Sequence, residues 1–176
     1  MAQDRQQHTS PSDATLPCLL AVDVGMRCGL AWFRGDGVLL DYLSRSFPSR
    51  AGLKTAVRQL CRRQPLTHLV LEGGGDTAEP WLREATRLGL DVESVSAETW
   101  REDLLYLRQR RTGQQAKRTA DTLARDVIAR CGGKKPTSLR TDAAEAILCG
   151  YWAARRLFPA HARGVVPVRF RNTVEK

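Results

Sequence analysis

Four carboxylates occupy positions at which apolar segments end or a helical segment begins. Asp23 and Glu72 each follow a short apolar run, and Asp142 and Glu145 lie three residues apart at the start of a helical stretch. An unpaired carboxylate at the end of a buried strand is costly or changes its pKa, so these acids need a compensating charge. We predict that a pair of divalent metal ions supplies it, and that the substrate is a nucleic-acid phosphodiester.

The net charge agrees with a polyanionic substrate. Lysine and arginine outnumber acidic residues by 28 to 19 in this chain of 176 residues, which gives a net charge of +9 and an isoelectric point near 9.9. Neutralising phosphates releases their counterions, so nucleic acid is the predicted partner. A basic protein without such a partner and an anionic membrane surface are the alternatives. The length fits one domain with a single well-buried core.

The cysteines, the apolar runs and the two ends of the chain indicate the cellular compartment and the extent of the folded domain. Five cysteines without a C-x-x-C pair or a Cys/His cluster predict reduced thiols in an intracellular protein. The compartment is expected to be the cytoplasm or nucleoid of a bacterium or phage-infected cell, and an organelle also fits. No apolar run reaches the roughly 18 residues of a membrane span, so no membrane is expected. Residues 1–16 are expected to form a disordered lead-in, 17–158 the folded domain and 159–176 a basic tail. Four cysteines are predicted core residues: Cys28, Cys61, Cys131 and Cys149.

Turn signals and apolar periodicity predict three strands followed by helices and strands in alternation. The predicted strands cover 17–24, 28–34, 37–43, 67–72 and 91–96. Apolar residues at helical spacing predict helices over 53–61, 81–88, 99–107, 116–131 and from 141 toward 158. This order predicts an α/β fold with a mixed five-stranded sheet. The sheet consists of a three-strand antiparallel meander and two parallel strands, with helices on both faces.

Such a sheet would bring the four acids together. If the first strand is central and the fourth lies parallel beside it, Asp23 and Glu72 share the carboxyl edge, where open α/β sheets commonly bind ligands. Asp142 and Glu145 project from one face of their helix. Carboxylate oxygens suit Mg²⁺ or Mn²⁺. Two such ions roughly 4 Å apart hold the attacking water and the leaving oxygen of an in-line displacement.

These motifs resemble a known family. Residues 23–25 followed by 28–31 (Asp-Val-Gly, then Cys-Gly-Leu-Ala) are similar to the first strand and hairpin of RNase H-fold nucleases. The similarity is greatest to the RuvC-like Holliday-junction resolvases, which have a Glu ending the fourth strand and an acidic-Ala-Ala-acidic helix start, here residues 142–145. The segment Thr99-Trp100-Arg101, with Lys117 after it, resembles the phage and chloroplast members. The resemblance covers roughly residues 18–155.

The resemblance implies a dimeric, Mg²⁺-dependent endonuclease that nicks two opposing strands of a four-way junction. In that mechanism Asp23 bridges both ions, and Glu72 and Asp142 each hold one. Glu145 completes a coordination shell or positions the water, and Lys117 stabilises charge on the scissile phosphate. The bacterial members carry an aromatic residue soon after the strand-four Glu, where this chain has glycines and Asp76, so Trp81 is the candidate wedge. Glu145 stands where Asp is usual in those proteins.

Basic residues near the acids are predicted to contact phosphates. The first cluster flanks residues 112–115, which are predicted to form a loop between two helices and to follow a nucleic-acid backbone. Its members are Arg108, Arg110, Arg111, Lys117 and Arg118. A second group flanks the last acidic pair and consists of Lys134, Lys135 and Arg140. Such a charge run is otherwise a solvated face.

Several alternatives stay open at the level of sequence. Thr141 or Asp142 could cap the last helix, with Glu145 completing a capping box, and the helix dipole would favour Asp142 near the N-terminus, with no chemistry implied. The same acids would serve a nuclease that cuts RNA or an RNA–DNA hybrid, and the fold would also serve a non-catalytic nucleic-acid-binding module. A sugar-kinase or actin-type ATPase fragment also uses Asp-x-Gly, but the length and basic charge fit it poorly. Cut-site preference and the dimer interface are not predicted.

Overall fold

The computed structural model describes residues 16–105 and 112–159. Its strands are β1 Cys18–Asp23, β2 Arg27–Arg34, β3 Leu39–Ser46, β4 His68–Glu72 and β5 Asp91–Val95. Its helices are α1 Arg50–Leu60, α2 Glu79–Leu88, α3 Ala97–Leu104, α4 Gly113–Arg130 and α5 Thr141–Leu157, with a 3₁₀ turn at Gly75–Thr77. The predicted lead-in and basic tail lie outside the described residues, except for Leu16 and Pro159.

The strands form one sheet in the order β3-β2-β1-β4-β5. The pairs β1–β2 and β2–β3 are antiparallel, whereas β1–β4 and β4–β5 are parallel. This confirms the predicted meander with two added parallel strands. The third strand begins at Leu39 rather than at 37, because the turn before it places Gly37 at a φ of 89°.

Apolar side chains cover both faces of the sheet, as alternation along a buried strand requires. On β1, Leu19 and Ala21 join the core cluster that contains α3, α4 and α5. Leu20 and Val22 join the cluster under α1 and α2. All five cysteines are free and buried, which confirms the four predicted as core residues. Among the described residues no helix is long and apolar enough to cross a membrane.

Two helix starts differ from the patterns considered in the sequence. Residues 112–115 are not a loop between helices, because Thr112 is the N-cap of α4 and its hydroxyl accepts a hydrogen bond from the Gln115 amide. At α5 the N-cap is Arg140, and no side chain caps the helix. The capping-box alternative for Asp142 and Glu145 is therefore wrong.

Candidate functional site

Three elements bring the four predicted carboxylates to one edge of the sheet. Asp23 ends β1 and is in register with Glu72 at the end of β4 on one side. On the other side it pairs with Gly29 of β2. A Cβ on Gly29 would lie 1.8 Å from the backbone oxygen of Asp142, so the first turn of α5 rests directly on β2 beside Asp23. Only glycine permits this approach, which sets the position of Asp142 and Glu145.

An open cleft of about 430 Å³ lies above this edge. It is lined by Asp23, Arg27, Lys117, Leu139, Arg140, Thr141, Asp142 and Glu145. Glu72 is not part of the lining and is only 6% exposed. The cleft thus joins three of the predicted acids to three basic side chains, a combination that suits a phosphate held beside bound cations.

Protein donors hold three of the four carboxylates. The Trp100 indole N–H donates to Glu72 Oε2 at 2.8 Å, inside the core. Arg101 forms an ion pair with Glu145, and the Ser44 hydroxyl donates to an oxygen of Asp142. Within the described residues Asp23 has no such donor. In the described part of the chain, Glu145 alone of the four has an ion-pair partner, whereas Asp23 also lacks a neutral donor.

The surroundings of Asp23 raise the pKa of its carboxyl. Burial raises the pKa of Asp23 to about 7, and repulsion from Glu72, Glu145 and Asp142 contributes, against a smaller lowering by Arg101. Burial also raises the pKa of Glu72, although the Trp100 hydrogen bond opposes this. Desolvation and like charges both disfavour the ionised form. A bound divalent cation would reverse the shift, because it favours the charged carboxylate.

The side-chain chemistry fits hard divalent cations, but the carboxylates do not yet surround one point. In the described ranges no three His, Cys, Asp or Glu side chains lie close enough together to hold one ion as placed. Glu72, Asp142 and Glu145 each contact a protein donor through one carboxylate oxygen. Carboxylate oxygens at an open edge are nevertheless the ligands that Mg²⁺ and Mn²⁺ prefer.

The predicted basic residues divide into three groups. Lys117 and Arg140 line the cleft. Arg118, Lys134 and Lys135 are exposed but do not line it. The remaining predictions, Arg108, Arg110 and Arg111, lie outside the described residues.

Several side chains at the site were not assigned a role from sequence. Trp100 and Arg101 belong to the segment that carries part of the family resemblance, yet their contacts with Glu72 and Glu145 come from α3 packing across the sheet edge. Arg27 lines the cleft because it begins β2 beside the end of β1. Ser44 reaches Asp142 from β3, 98 positions away in the chain. No sequence signal marks Arg27 or Ser44, because their contacts depend on strand register.

The candidate wedge Trp81 is wrong. Its side chain is 0% exposed and packs in the core under α1 and α2, so it cannot reach a bound ligand. Two of the glycines after Glu72 are required by the backbone conformation. Gly73 and Gly75 adopt φ angles of 98° and 73°, which other residues rarely tolerate.

Comparison with solved structures identifies the fold. Thermus thermophilus RuvC in complex with a Holliday-junction substrate aligns with a TM-score of 0.61 and 13% identity over 82% of this chain and 96% of that one. A second Thermus thermophilus RuvC structure gives 0.58 and 14% over 84% and 98%. The fowlpox virus Holliday junction resolvase gives 0.57 and 13% over 79% and 99%. No family model matches the chain, and no curated protein does.

These alignments confirm the predicted fold class. They span nearly the whole length of three solved structures of two proteins, and the chain contributes its mixed sheet with helices on both faces. The chain therefore has the RNase H-like fold in the form that RuvC displays.

Proposed function

We propose that this chain, which has the fold of RuvC and of a poxvirus junction resolvase, is a metal-dependent endonuclease that resolves four-way DNA junctions. The observation that carries the proposal is Asp23, a carboxyl without a donor in the described ranges, whose pKa is raised by burial and by three further acids. An acid in this environment that had only a structural role would lower the stability of the fold and contribute nothing in exchange. A metal-ligating acid needs this environment, because the cation supplies the missing charge.

The four acids have distinct proposed roles. Asp23 is central and would bridge two ions, with Glu72 on one side and Asp142 on the other. Glu145 would complete a coordination shell or position the attacking water. Bound Mg²⁺, or Mn²⁺ in its place, supplies Lewis-acid activation of water and stabilises the leaving oxygen. Arg101 contacts Glu145 through Oε1 and Ser44 contacts Asp142 through Oδ2, so each carboxylate has a second oxygen for a cation.

Lys117 is proposed to stabilise the charge that develops on the scissile phosphate. It lines the same cleft as Asp23 and Asp142 while lying on a different helix. The test is Lys117→Ala at low salt, where binding is strong, with Arg118→Ala as the matched control on the same helix. A cleavage rate equal to that of the wild type for Lys117→Ala would remove this role.

Branched DNA is the proposed substrate, for two reasons. The chain has a net charge of +9, Arg140 lines the cleft, and Arg118, Lys134 and Lys135 are exposed and available to phosphates. Among the solved proteins of this fold, one is RuvC bound to a Holliday junction and another is named as a junction resolvase. Arg108, Arg110 and Arg111, which lie outside the described residues, are also proposed to contact phosphates.

Paired cuts at a junction require two active sites, so a homodimer with a two-fold axis is the proposed assembly. The free cysteines agree with a reducing, intracellular setting. Sedimentation with and without junction DNA tests the assembly, and a monomer in both conditions would contradict it.

The decisive test is a cleavage assay with Mg²⁺ on four labelled substrates. These are a four-way junction, a linear duplex, an RNA–DNA hybrid and single-stranded RNA, with Asp142→Asn as the inactive control. Symmetric nicks on the junction alone, lost in the variant, are the expected result. Cleavage of the hybrid or the RNA would keep the metal site and replace the substrate. Tight binding without cleavage in Mg²⁺ or Mn²⁺ would leave a non-catalytic binding module.

A further inference from the structure

Helix α1 carries a row of like charges, and among the described residues only the first of them, Arg50, has an ion-pair partner, which is Asp76. Arg50, Lys54 and Arg58 recur at every fourth position, and Arg62 continues the row in the turn after the helix. All four side chains are exposed. Residues four apart lie above one another on a helix, so the row forms a single basic stripe.

The helix gains nothing from this arrangement by itself. Residues 50–60 contain no acid, so every i, i+4 pair along the stripe is repulsive. Arg50 also lies in the first turn, where the helix dipole disfavours a positive charge. A stripe kept against these local penalties indicates a partner that carries negative charge.

Other helices of the protein show the contrast. Arg83 pairs with Glu79 on α2, and Arg125 pairs with Asp121 on α4. Among the described residues Lys54, Arg58 and Arg62 form no ion pair. Arg58 and Arg62 interact electrostatically with Glu84 and help to lower the pKa of its carboxyl, but that carboxylate forms its ion pair and both of its hydrogen bonds with Arg87.

The stripe also continues the basic lining of the cleft. Arg27 lines the cleft, and the next strand carries Arg45, whose cross-strand partner Cys28 packs in the core beneath α1. Cross-strand partners share a face, so Arg45 lies on the α1 side of the edge. Arg50 follows a few residues later. Basic groups thus lead from the cleft around the sheet edge and along α1, which lies on the face away from α4 and α5.

We propose that the α1 stripe, Arg50, Lys54, Arg58 and Arg62, is a second nucleic-acid site that binds the phosphate backbone of a duplex arm leaving the cleft. The inference rests on the proposed function for the identity of that arm. The proposed homodimer would use another surface, because the stripe would face a copy whose net charge is also +9. Lysines and arginines at this spacing contact phosphates without reading bases, so binding is independent of sequence.

The test is the salt dependence of binding, measured in EDTA so that cleavage plays no part. The full chain carrying Lys54→Gln, Arg58→Gln and Arg62→Gln is compared with the wild type on junctions whose arms are shortened stepwise. Each lost phosphate contact should lower the slope of log K against log salt by about 0.9. The expected result is a slope lower by about 2 to 3 on long arms and little difference on the shortest arms.

A matched control removes the same charge from compensated positions. Arg83→Gln, Arg125→Gln and Arg156→Gln each break an ion pair elsewhere on the surface, with Glu79, Asp121 and Glu93 respectively. This triple variant should keep a slope close to that of the wild type. Melting temperatures of both variants establish that they are folded.

The outcomes separate the stripe from the catalytic proposal. An unchanged slope for the α1 variant, or an equal decrease of the slope in the control, would overturn the proposal that the stripe binds phosphates. Loss of binding to phosphatidylserine vesicles with an unchanged duplex slope would also overturn it, in favour of a membrane surface. A wild-type protein that cleaves no substrate yet shows the arm-dependent slope would sink the catalytic proposal and leave the stripe standing.

Discussion

Two glutamates are the buried charged residues of the described part of this protein, and their surroundings differ. Glu84 on α2 is 4% exposed and receives two hydrogen bonds from Arg87, which lowers the pKa of the Glu84 carboxyl. Glu72 at the end of β4 is 6% exposed and receives one hydrogen bond from the neutral Trp100. Burial raises the pKa of Glu72.

The difference indicates what each acid is for. Glu84 has its own cation within one turn of the same helix, so its charge is complete in the protein alone. Glu72 lies beside Asp23 with only a neutral donor, so its charge awaits a cation from outside. A buried acid that is paired with a fixed cation indicates a structural role. A group of acids with too few cations around it indicates a binding site.

The largest expected effect separates the two acids by activity. Asp23→Asn or Glu72→Gln should reduce junction cleavage by about 10³-fold or more, because metal ions contribute several kcal/mol to the transition state. Glu84→Gln should keep the cleavage rate and lower only the melting temperature. Rates under single-turnover conditions check this. A comparable loss of cleavage in Glu84→Gln would contradict the proposed difference between the structural Glu84 and the metal-binding Glu72.

The Trp100 hydrogen bond offers the next effect in size. Trp100→Phe keeps an aromatic ring in the core but removes the N–H that orients Glu72. Partners of metal ligands typically account for 10–100-fold in metal affinity or activity, and a loss in that range is expected. Titration calorimetry with Mn²⁺ measures the affinity directly. Trp152→Phe, which removes an indole donor to Asp103, is the control and should leave affinity unchanged.

Metal-dependent stability is a third expected effect. A ligand that binds only the folded state at 100 times its Kd adds about 2.7 kcal/mol. In a protein of this size that raises the melting temperature by about 5–10 °C. Mn²⁺ should therefore stabilise the wild type and Glu84→Gln alike, whereas Asp23→Asn should lose most of the gain. Equal stabilisation of all three proteins would place the cation elsewhere.

The last expected effect is a pH dependence of opposite sign for the two regions. The pKa of Asp23 rises from 3.8 to about 7 on folding, so the metal-free protein binds the extra proton and loses stability as pH rises from about 4 to 7. The lowered pKa of Glu84 contributes stability above about pH 4.5 that is lost as the pH falls. Melting in EDTA across this range checks both signs. Asp23→Asn should abolish the first trend, and Glu84→Gln the second.

Much of the fold followed from local patterns. Alternating or continuous apolar residues placed all five strands, and helical spacing placed five helices, because burial imposes these periods on any sequence that forms such elements. The acids at the ends of β1 and β4 could be recognised for the same reason, since a strand pattern shows where the strand stops. The boundary errors lay at turns and caps, such as the start of β3 and the N-cap Thr112.

The details of the candidate site depended on contacts between distant segments. Trp81 was expected to reach a ligand, yet its helix buries it, and an apolar stripe does not tell how the helix is rotated against its neighbours. Thr141 could have capped α5, but the cap position belongs to Arg140. Neither outcome has a local signature.

The sequence by itself determined that four carboxylates end or begin buried elements in a strongly basic chain with the element order of an RNase H-like fold. Only the tertiary structure decided that Gly29 admits the first turn of α5 beside Asp23, and that Trp100, Arg101 and Ser44 hold three of the acids while Asp23 has no donor among the described residues. The physical reason is range. Element type follows from the burial period of neighbouring residues, whereas the partner of a carboxylate depends on register and packing between segments far apart in the chain.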